Sequence, residues 1–151
     1  MNESHIMQPI RYEDLNSRQQ ESYNFQQVSA ILADYGFTTI RLTDDWRGAD
    51  FIAQHINGTT FLKIQLKGRL TLDRKYQHRD IHICFRSGGQ WYLYPHDSVM
   101  EQILASSNVS NTKSWTDGLY TFPSLSKELQ ALLEPFRLPV LTPQTNATGN
   151  A

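Results

Sequence analysis

Cysteine is nearly absent from this sequence, whose single thiol, Cys84, stands in the apolar run at residues 81–85. One cysteine cannot form an internal disulfide, which excludes a disulfide-linked scaffold. Its apolar neighbours predict a buried, inert thiol rather than a nucleophile. Because no cysteine pair accompanies His78 and His82, we interpret both as surface or core histidines and not as zinc ligands.

Long apolar runs are also missing, since no segment approaches the roughly 20 apolar residues that a membrane-spanning helix requires. Residues 1–5 lack the basic start and apolar middle of a signal peptide, so we expect a soluble cytoplasmic protein. The sequence contains no P-loop, no dinucleotide-binding glycine fingerprint and no internal repeat. The nucleotide-binding classes that those glycine motifs define are therefore not indicated.

An excess of charge of either sign is lacking as well, since 14 Lys and Arg residues face 15 Asp and Glu residues for a net charge of −1. The distribution is nevertheless uneven, because seven of the 14 basic residues lie within residues 63–86, against two acidic ones. A phosphate group responds to local charge, so this segment is either a nucleic-acid contact or an ordinary solvated face. The basic residues are Lys63, Lys67, Arg69, Arg74, Lys75, Arg79 and Arg86.

A length of 151 residues with 39% hydrophobic and 11% aromatic content fits one compact domain with a real core. Residues 1–15 have mixed polarity without a period and predict a flexible N-terminal arm. Residues 138–151, rich in Pro, Thr, Gln and Asn, predict a disordered C-terminal tail. The domain itself is predicted to span residues 16–137.

Helical spacing of apolar residues predicts a first helix that ends at Gly36. Ser17 followed three residues later by Gln20 indicates a capping box at its start. The apolar stripe is formed by Phe25, Val28, Leu32 and Tyr35. Glu21, one turn before Phe25, places an acidic group at the upstream end of this face.

Strands and further helices follow this first helix. Residues 38–42 predict a short strand and residues 44–48 a polar loop, while residues 81–85 and 91–94 predict a second hairpin. Asp97 is predicted to cap a helix that runs to about Ala105.

The last part of the domain begins with a predicted polar loop at residues 108–116 and an edge strand at residues 119–122. A final helix is predicted to start at Ser124 or Ser126, with its leucines inward, and to end near Pro135. This order of elements predicts an α/β (α+β) domain with a mixed central β-sheet flanked by helices.

The best-defined local feature is a hairpin formed by residues 50–56 and 59–67, joined by Asn57-Gly58, because both turn residues tolerate positive φ. If Ile56 pairs with Thr59, the register places Phe51 opposite Ile64, Ala53 opposite Leu62, and Asp50 opposite Gln65. Strand alternation then gives one apolar face of Phe51, Ala53, Leu62, Ile64 and Leu66, and a polar face of Asp50, Gln65 and Lys67.

Carboxylate and amide oxygens gathered at the open end of this hairpin suit a hard divalent cation. Asp50 and Gln65, with Glu21 from the helix, are oxygen donors of the kind that Mg²⁺ or Mn²⁺ prefers. Lys67 would lie beside a metal-bound water and a reacting phosphate, where its ammonium opposes developing negative charge. The residues therefore predict phosphodiester hydrolysis.

The run Gly48-Ala49-Asp50, fourteen residues, then Gln65-Leu66-Lys67 resembles the motif of the PD-(D/E)XK nuclease superfamily, with an acid-bearing helix before it. The resemblance covers about residues 17–67 and is closest to Holliday-junction resolvases and homing endonucleases. It implies a restriction-endonuclease-like core of about five strands, Asp50 as metal ligand, Gln65 in place of the usual acidic ligand and Lys67 as catalytic lysine. Ala49 replaces the family's frequent Pro, and Gln65 removes one negative charge, which should weaken metal affinity.

Nucleic-acid contacts are predicted outside this motif. Arg69, Arg74, Lys75 and Arg79 are predicted to contact phosphates. Trp46, in its polar loop, is predicted to stack on a base. The expected partner is double-stranded or branched DNA, cut by a homodimer or higher homo-oligomer, since two symmetric cuts call for two sites related by a two-fold axis.

The leading prediction is thus a metal-dependent DNA nuclease, and two alternatives stay open. One is a catalytically inactive nucleic-acid-binding module of the same fold, and the other is a protein-interaction subunit. Glu21 can equally be a first-turn acid that favours the helix dipole, and Asp50 a carboxylate that opens a strand.

Overall fold

The computed structural model describes residues 6–141, apart from the side chains of Asp45 and Trp46, and forms three layers. Its helices are α1 (Ser17–Asp34), α2 (His96–Ser106), α3 (Lys113–Thr116) and α4 (Lys127–Leu133). Its strands are β1 (Phe37–Trp46), β2 (Ala49–His55), β3 (Phe61–Lys67), β4 (Leu70–Asp73), β5 (Ile81–Ser87), β6 (Gln90–Pro95), β7 (Leu119–Phe122) and β8 (Arg137–Leu138). Short 3-10 turns cover Tyr12–Asp14, Arg74–Tyr76, Val109–Asn111 and Glu134–Phe136.

The central sheet has six strands in the order β1-β2-β3-β5-β6-β8, in which only the β3–β5 pair is parallel. Strands β4 and β7 pair with each other in a separate two-stranded sheet. The predicted α/β class with a mixed central sheet flanked by helices is confirmed, with six strands in place of about five. Within residues 6–141, no helix is both long and apolar enough to cross a membrane.

Several elements depart from the predictions. The predicted polar loop at residues 44–48 is wrong in its first part, because β1 continues to Trp46, which pairs with Ala49 across an irregularity in the register. The two-residue strand β8 was not predicted either. Strand β4 was not predicted, because four residues in a polar, basic stretch give little periodicity. In the structure, the buried Tyr94 hydroxyl holds this strand at Thr71: it accepts the Thr71 N–H at 3.2 Å and donates to the Thr71 carbonyl at 2.7 Å. The predicted loop at residues 108–116 contains helix α3, whose cap is the Thr112 side chain. Residues 119–122 form a strand as predicted, but in the small sheet with β4.

The central sheet separates two apolar cores. Helix α1 packs on one face through its predicted stripe: Val28 and Leu32 are buried, and Phe25 and Tyr35 pack against the same cluster. Cys84 lies in this core with no solvent exposure, and burial raises the pKa of its thiol, as expected for an inert group. The other face carries the remaining helices and the small sheet.

The β2–β3 hairpin has the predicted register but a different turn. Phe51 pairs with Ile64 and Ala53 with Leu62. The closing pair is His55 and Thr60, not Ile56 and Thr59, and the Asn57 carboxamide accepts the N–H groups of the two residues before Phe61. A four-residue loop preserves the same pairing because adding one residue on each side leaves the sum of partner numbers unchanged.

The predicted caps of α1 and α2 are wrong. Asn16, not Ser17, caps α1, because its side chain accepts the Gln19 N–H while Gln19 bonds back to the Asn16 N–H, both at 2.9 Å. Asp97 lies inside the first turn of α2, where its carboxylate instead accepts the backbone N–H of His78 at 2.9 Å. The Asp97 oxygen that was predicted to cap α2 thus accepts a hydrogen bond from a residue distant in the sequence.

Other turns follow the sequence closely. The β5–β6 hairpin closes through Gly88 and Gly89, both at positive φ, as a tight two-residue loop requires. Ser126 caps α4 by accepting the Leu129 N–H, and Leu133 is fully buried. Both elements were predicted.

The domain boundaries stay predictions, and residues 1–5 and 142–151 lie outside the described chain. Before α1, the Tyr12 hydroxyl accepts a hydrogen bond from the Asn24 side chain at 3.0 Å, and its ring meets Tyr23 edge-on. At the other end, the Tyr35 hydroxyl donates to the Pro139 carbonyl at 2.6 Å.

Candidate active site

A cleft of about 910 Å³ opens at the end of the sheet where β2 begins and β3 ends, between those strands and the first half of α1. All four residues predicted as catalytic line it: Glu21, Asp50, Gln65 and Lys67. The remaining lining residues are Arg18, Ser22, Asn24, Phe25, Arg41, Leu42, Thr43, Asp44, Leu66, Gly68 and Trp91. The antiparallel register brings the start of one strand beside the end of the next, and the cleft lies at this junction.

The Asp50 carboxylate ties the two strands together at their open end. Its Oδ2 accepts the backbone N–H of Leu66 at 2.8 Å, beyond the last regular pair, Phe51 with Ile64. This bond turns the side chain toward β3, and it confirms that Asp50 and the segment around Gln65 are cross-strand neighbours. A charge-assisted bond of this kind fixes the carboxylate more firmly than a neutral one.

The Gln65 side chain carries the most informative atom of the cleft. Its Oε1 is buried and accepts no hydrogen bond from any residue within 6–141. An unsatisfied buried acceptor costs about 1–3 kcal/mol, so native proteins rarely retain one without a ligand, ion or water to use it. This amide oxygen is therefore a candidate ligand for a cation.

The opposite wall of the cleft contributes the acid Glu21 and two further cations. Glu21 is exposed in the second turn of α1, and Arg18 lies one turn earlier on the same helix. Arg41 reaches across from β1, donating to the Ser22 hydroxyl at 2.9 Å, and its guanidinium lies 5.5 Å from the Phe25 ring centroid. The structure thus brings Glu21 into the cleft as predicted and adds two arginines.

Sequence reasoning missed Arg18 and Arg41, although each had a signal. Arg18 precedes Glu21 by three residues, a spacing that puts both on one helix face. Arg41 lies two residues after Thr39 and therefore on the same face of β1. That face is the one directed at α1, because the Thr39 hydroxyl donates to the Ser29 hydroxyl at 2.7 Å.

Lys67, the last residue of β3, lies near an aromatic ring at the edge of the cleft. Its Nζ is 5.5 Å from the centroid of the Tyr76 ring. The distance lies within the roughly 6 Å over which an ammonium is attracted to an aromatic face. Tyr76 belongs to the Arg74–Tyr76 turn and is itself buried.

The predicted phosphate contacts Arg69, Arg74, Lys75 and Arg79 are exposed, and none of them lines the cleft. Arg74 lies 4.9 Å over the Trp115 ring, and Lys75 forms an ion pair with Asp73 at 3.7 Å. The backbone carbonyl of Arg79 accepts a hydrogen bond from Lys63. The side chain of Trp46 lies outside the described part of the chain.

A buried histidine holds this basic segment against α2. His96 Nε2 accepts the Asp73 N–H at 3.0 Å, so its Nδ1 carries the proton and donates to Asp97 at 2.9 Å. Partial burial of Asp97 raises its pKa, but the His96 and His78 hydrogen bonds and charges outweigh that effect and leave the pKa below its ordinary value. His96 is therefore a structural residue.

His82 is half-buried on strand β5. Burial lowers the pKa of His82, with Asp80 opposing that effect. Within residues 6–141, no three His, Cys, Asp or Glu side chains come together as a metal site.

No family model matches this chain, and no curated protein matches it. Among solved structures, the chain is similar to Hjc, a Holliday junction resolvase from the archaeal hyperthermophile Archaeoglobus fulgidus, with 19% identity and a TM-score of 0.37 over 46% of this chain and 74% of that chain. It is also similar to a bacterial homing endonuclease, I-Ssp6803I, with 16% identity and a TM-score of 0.40 over 75% of this chain and 80% of that chain.

Proposed function

We propose that this protein is a metal-dependent nuclease that hydrolyses phosphodiester bonds in double-stranded or branched DNA. The observation that carries the proposal is the buried, unsatisfied Oε1 of Gln65, beside the strand-end carboxylate of Asp50 in a cleft that also holds Lys67. An acceptor oxygen and an anion placed together at an open cleft suit a cation better than they suit any neutral ligand.

Mg²⁺ or Mn²⁺ fits the donors present. The Asp50 carboxylate and the Gln65 amide oxygen would hold it, with Glu21 on the facing wall as the third ligand. Few protein ligands suit Mg²⁺, which keeps several waters and is shared with substrate phosphates. When bound, the metal would supply Lewis-acid polarisation of a phosphate and of an attacking water.

The cations of the cleft have separate tasks. Lys67 lies on the same strand face as Gln65, where its ammonium would stabilise the charge that develops on the phosphate in the transition state. Arg18 and Arg41 on the α1 and β1 wall would hold neighbouring backbone phosphates and keep the scissile one in place. The segment with Arg69, Arg74, Lys75 and Arg79 would contact flanking DNA.

Cutting both strands of a duplex calls for two cleft sites related by a two-fold axis, so we expect a homodimer or higher homo-oligomer that acts on cytoplasmic DNA. A branched DNA substrate would also require two sites related by a two-fold axis, because its two scissile strands are related by symmetry.

Plasmid cleavage tests the proposal. Supercoiled plasmid and a branched four-strand junction are incubated with the protein in Mg²⁺, Mn²⁺ or excess chelator, and nicked, linear and resolved products are separated on gels. We expect metal-dependent cleavage by the wild type, and none by Lys67→Ala. Lys63→Ala is the matched control, since Lys63 lies on the same strand outside the cleft.

The other outcomes assign the alternatives. Salt-sensitive DNA binding without cleavage in any metal would identify a nucleic-acid-binding module. Absence of salt-sensitive binding would leave a protein-interaction subunit.

A further inference from the structure

The Tyr76 ring lies between two ammonium groups. Lys67 Nζ is 5.5 Å and Lys75 Nζ 5.1 Å from its centroid, while the tyrosine itself is only 2% exposed. Both distances allow cation–π attraction, which strengthens when the ring is removed from water. Of the two cations, only Lys67 lines the cleft.

The position of the ring is fixed from two sides. Gly48 adopts φ of +90°, and a Cβ added there would lie 3.1 Å from Tyr76 Cδ1, so the ring packs directly on backbone that only glycine leaves open. On another side, the buried His96 ring meets Tyr76 edge-on with centroids 5.6 Å apart. The ring is thus clamped next to the backbone that leads into Asp50.

The two lysines differ in their relation to solvent and to the cleft. Lys75 has a side chain that is 61% exposed and forms an ion pair with Asp73 at 3.7 Å, so solvent and a carboxylate already stabilise its charge. Lys67 ends a strand and carries four flexible methylene bonds, whose rotamers must be restricted if its ammonium is to meet a phosphate in one place. A rigid ring face contributes to that restriction.

We propose that Tyr76 is the positioning residue for Lys67, holding its ammonium at the cleft wall beside Asp50 and Gln65. This inference rests on the proposed nuclease function. It accounts for Gly48 in the motif, since a side chain at that position would displace the ring. Through Tyr76, the Arg74–Tyr76 turn would also affect the position of Lys67, although neither basic residue of the turn lines the cleft.

Steady-state cleavage by Tyr76→Leu and Tyr76→Phe tests this role. We expect Tyr76→Leu to lower kcat about tenfold with DNA affinity unchanged, because the lysine is misplaced rather than lost. Tyr76→Phe keeps the ring face and should retain kcat within about twofold. If Tyr76→Leu does not fold, Tyr76→Met fills more of the site and takes its place.

Trp115→Leu is the matched control. Trp115 is 5% exposed in the same core and lies under Arg74 instead of Lys67, so its loss leaves a comparable cavity without affecting the lysine. We expect its kcat to stay at the wild-type value. Equal losses of kcat in Tyr76→Leu and Trp115→Leu would show a general packing effect and overturn the inference.

A second readout does not depend on activity. The side-chain methylene resonances of Lys67 should show an upfield ring-current shift in NMR spectra that Tyr76→Leu removes and Trp115→Leu preserves. Absence of that shift in the wild type overturns the inference. If the wild type cleaves DNA and Tyr76→Leu keeps full kcat, only this inference fails; if the wild type cleaves nothing, the proposed function fails and this inference falls with it.

Discussion

The open end of the β2–β3 hairpin and the basic segment at residues 69–79 are both rich in charge, but they use it differently. At the hairpin end, charged and amide groups from α1, β1, β2 and β3 converge on one cleft. In the basic segment, the charges are spread over an exposed turn, with Lys75 paired to Asp73 and Arg74 stacked on Trp115.

Charge density along the chain is therefore a poor guide to where charged side chains converge in space. The basic segment at residues 69–79 contributes no lining residue to the cleft. Arg18 on α1 and Arg41 on β1 are far apart in the sequence, yet both line the cleft. A substrate phosphate responds to the spatial arrangement, because attraction falls with distance and with screening by solvent.

Replacing Asp50 should give the largest difference between the two regions. Asp50→Asn keeps an oxygen that can accept the Leu66 N–H but removes the charge that would bind a metal, so we expect kcat to fall by about 10²–10³-fold with little change in Tm. Asp73→Asn, in the basic segment, should leave kcat within about threefold. Cleavage assays with thermal denaturation measure both, and equal effects on kcat would erase the distinction.

Removing the cleft arginines should affect DNA binding more than removing exposed basic residues does. For Arg18→Ala combined with Arg41→Ala, we expect about 30-fold weaker binding and a slope of log K against log salt that is smaller by about 2. Arg74→Ala combined with Lys75→Ala should cost less than about fivefold, since both side chains are already engaged. Fluorescence anisotropy titrations at several salt concentrations would reveal a reversed order if the sequence-based assignment were the better one.

Introducing a carboxylate at position 65 should lower the Mg²⁺ concentration that cleavage requires. Gln65→Glu places a charged oxygen where the unsatisfied amide oxygen lies, so we expect half-maximal cleavage at about tenfold lower Mg²⁺. Gln77→Glu, in the basic segment, adds the same charge outside the cleft and should leave the Mg²⁺ requirement as it is. Cleavage rates across a Mg²⁺ titration compare the variants, and a parallel shift in both would point to bulk charge alone.

The smallest effect is expected where the basic segment meets α2. Asp97 has a lowered pKa in the folded protein, so its stabilising bonds to His96 and His78 are present above the unfolded value near 3.8 and are lost as pH falls through the folded pKa. Because the Asp97 side chain is about a third exposed, we expect Asp97→Ala to cost only about 1 kcal/mol at pH 7.

The cost should disappear in acid. Melting curves from pH 7 to pH 2 should show Asp97→Ala lower in Tm by about 3–6 °C at neutral pH and equal to the wild type at the acid end. His78→Asn, which keeps the backbone donor and tolerates positive φ, is the control. It removes only the His78 charge, the smallest of the causes that lower the Asp97 pKa, so it should keep most of the wild-type pH dependence. A Tm difference that persists below the folded pKa would show that the carboxylate charge is not its source.

Most of the fold is readable from local pattern. The stripe on α1, the register of β2 with β3, the Gly88-Gly89 hairpin and the Ser126 cap each depend on contacts between residues near in sequence. The predicted cap at Ser17 was wrong because the neighbouring Asn16 satisfies the same local rule. The predicted cap at Asp97 was wrong because its carboxylate accepts the N–H of His78, which is distant in the sequence. Strand β4 stayed hidden because its partner, β7, lies about fifty residues away.

The amino-acid sequence by itself determined that Asp50, Gln65 and Lys67 would share the open end of one hairpin, because turn parity and side-chain alternation leave few other registers. Tertiary structure alone decided that Gln65 Oε1 would be buried without a partner among residues 6–141, that Arg18 and Arg41 would face that end, and that Tyr76 would lie against Lys67. Those relations join segments distant in the chain, and their geometry arises only when α1, the sheet and the Arg74–Tyr76 turn pack together.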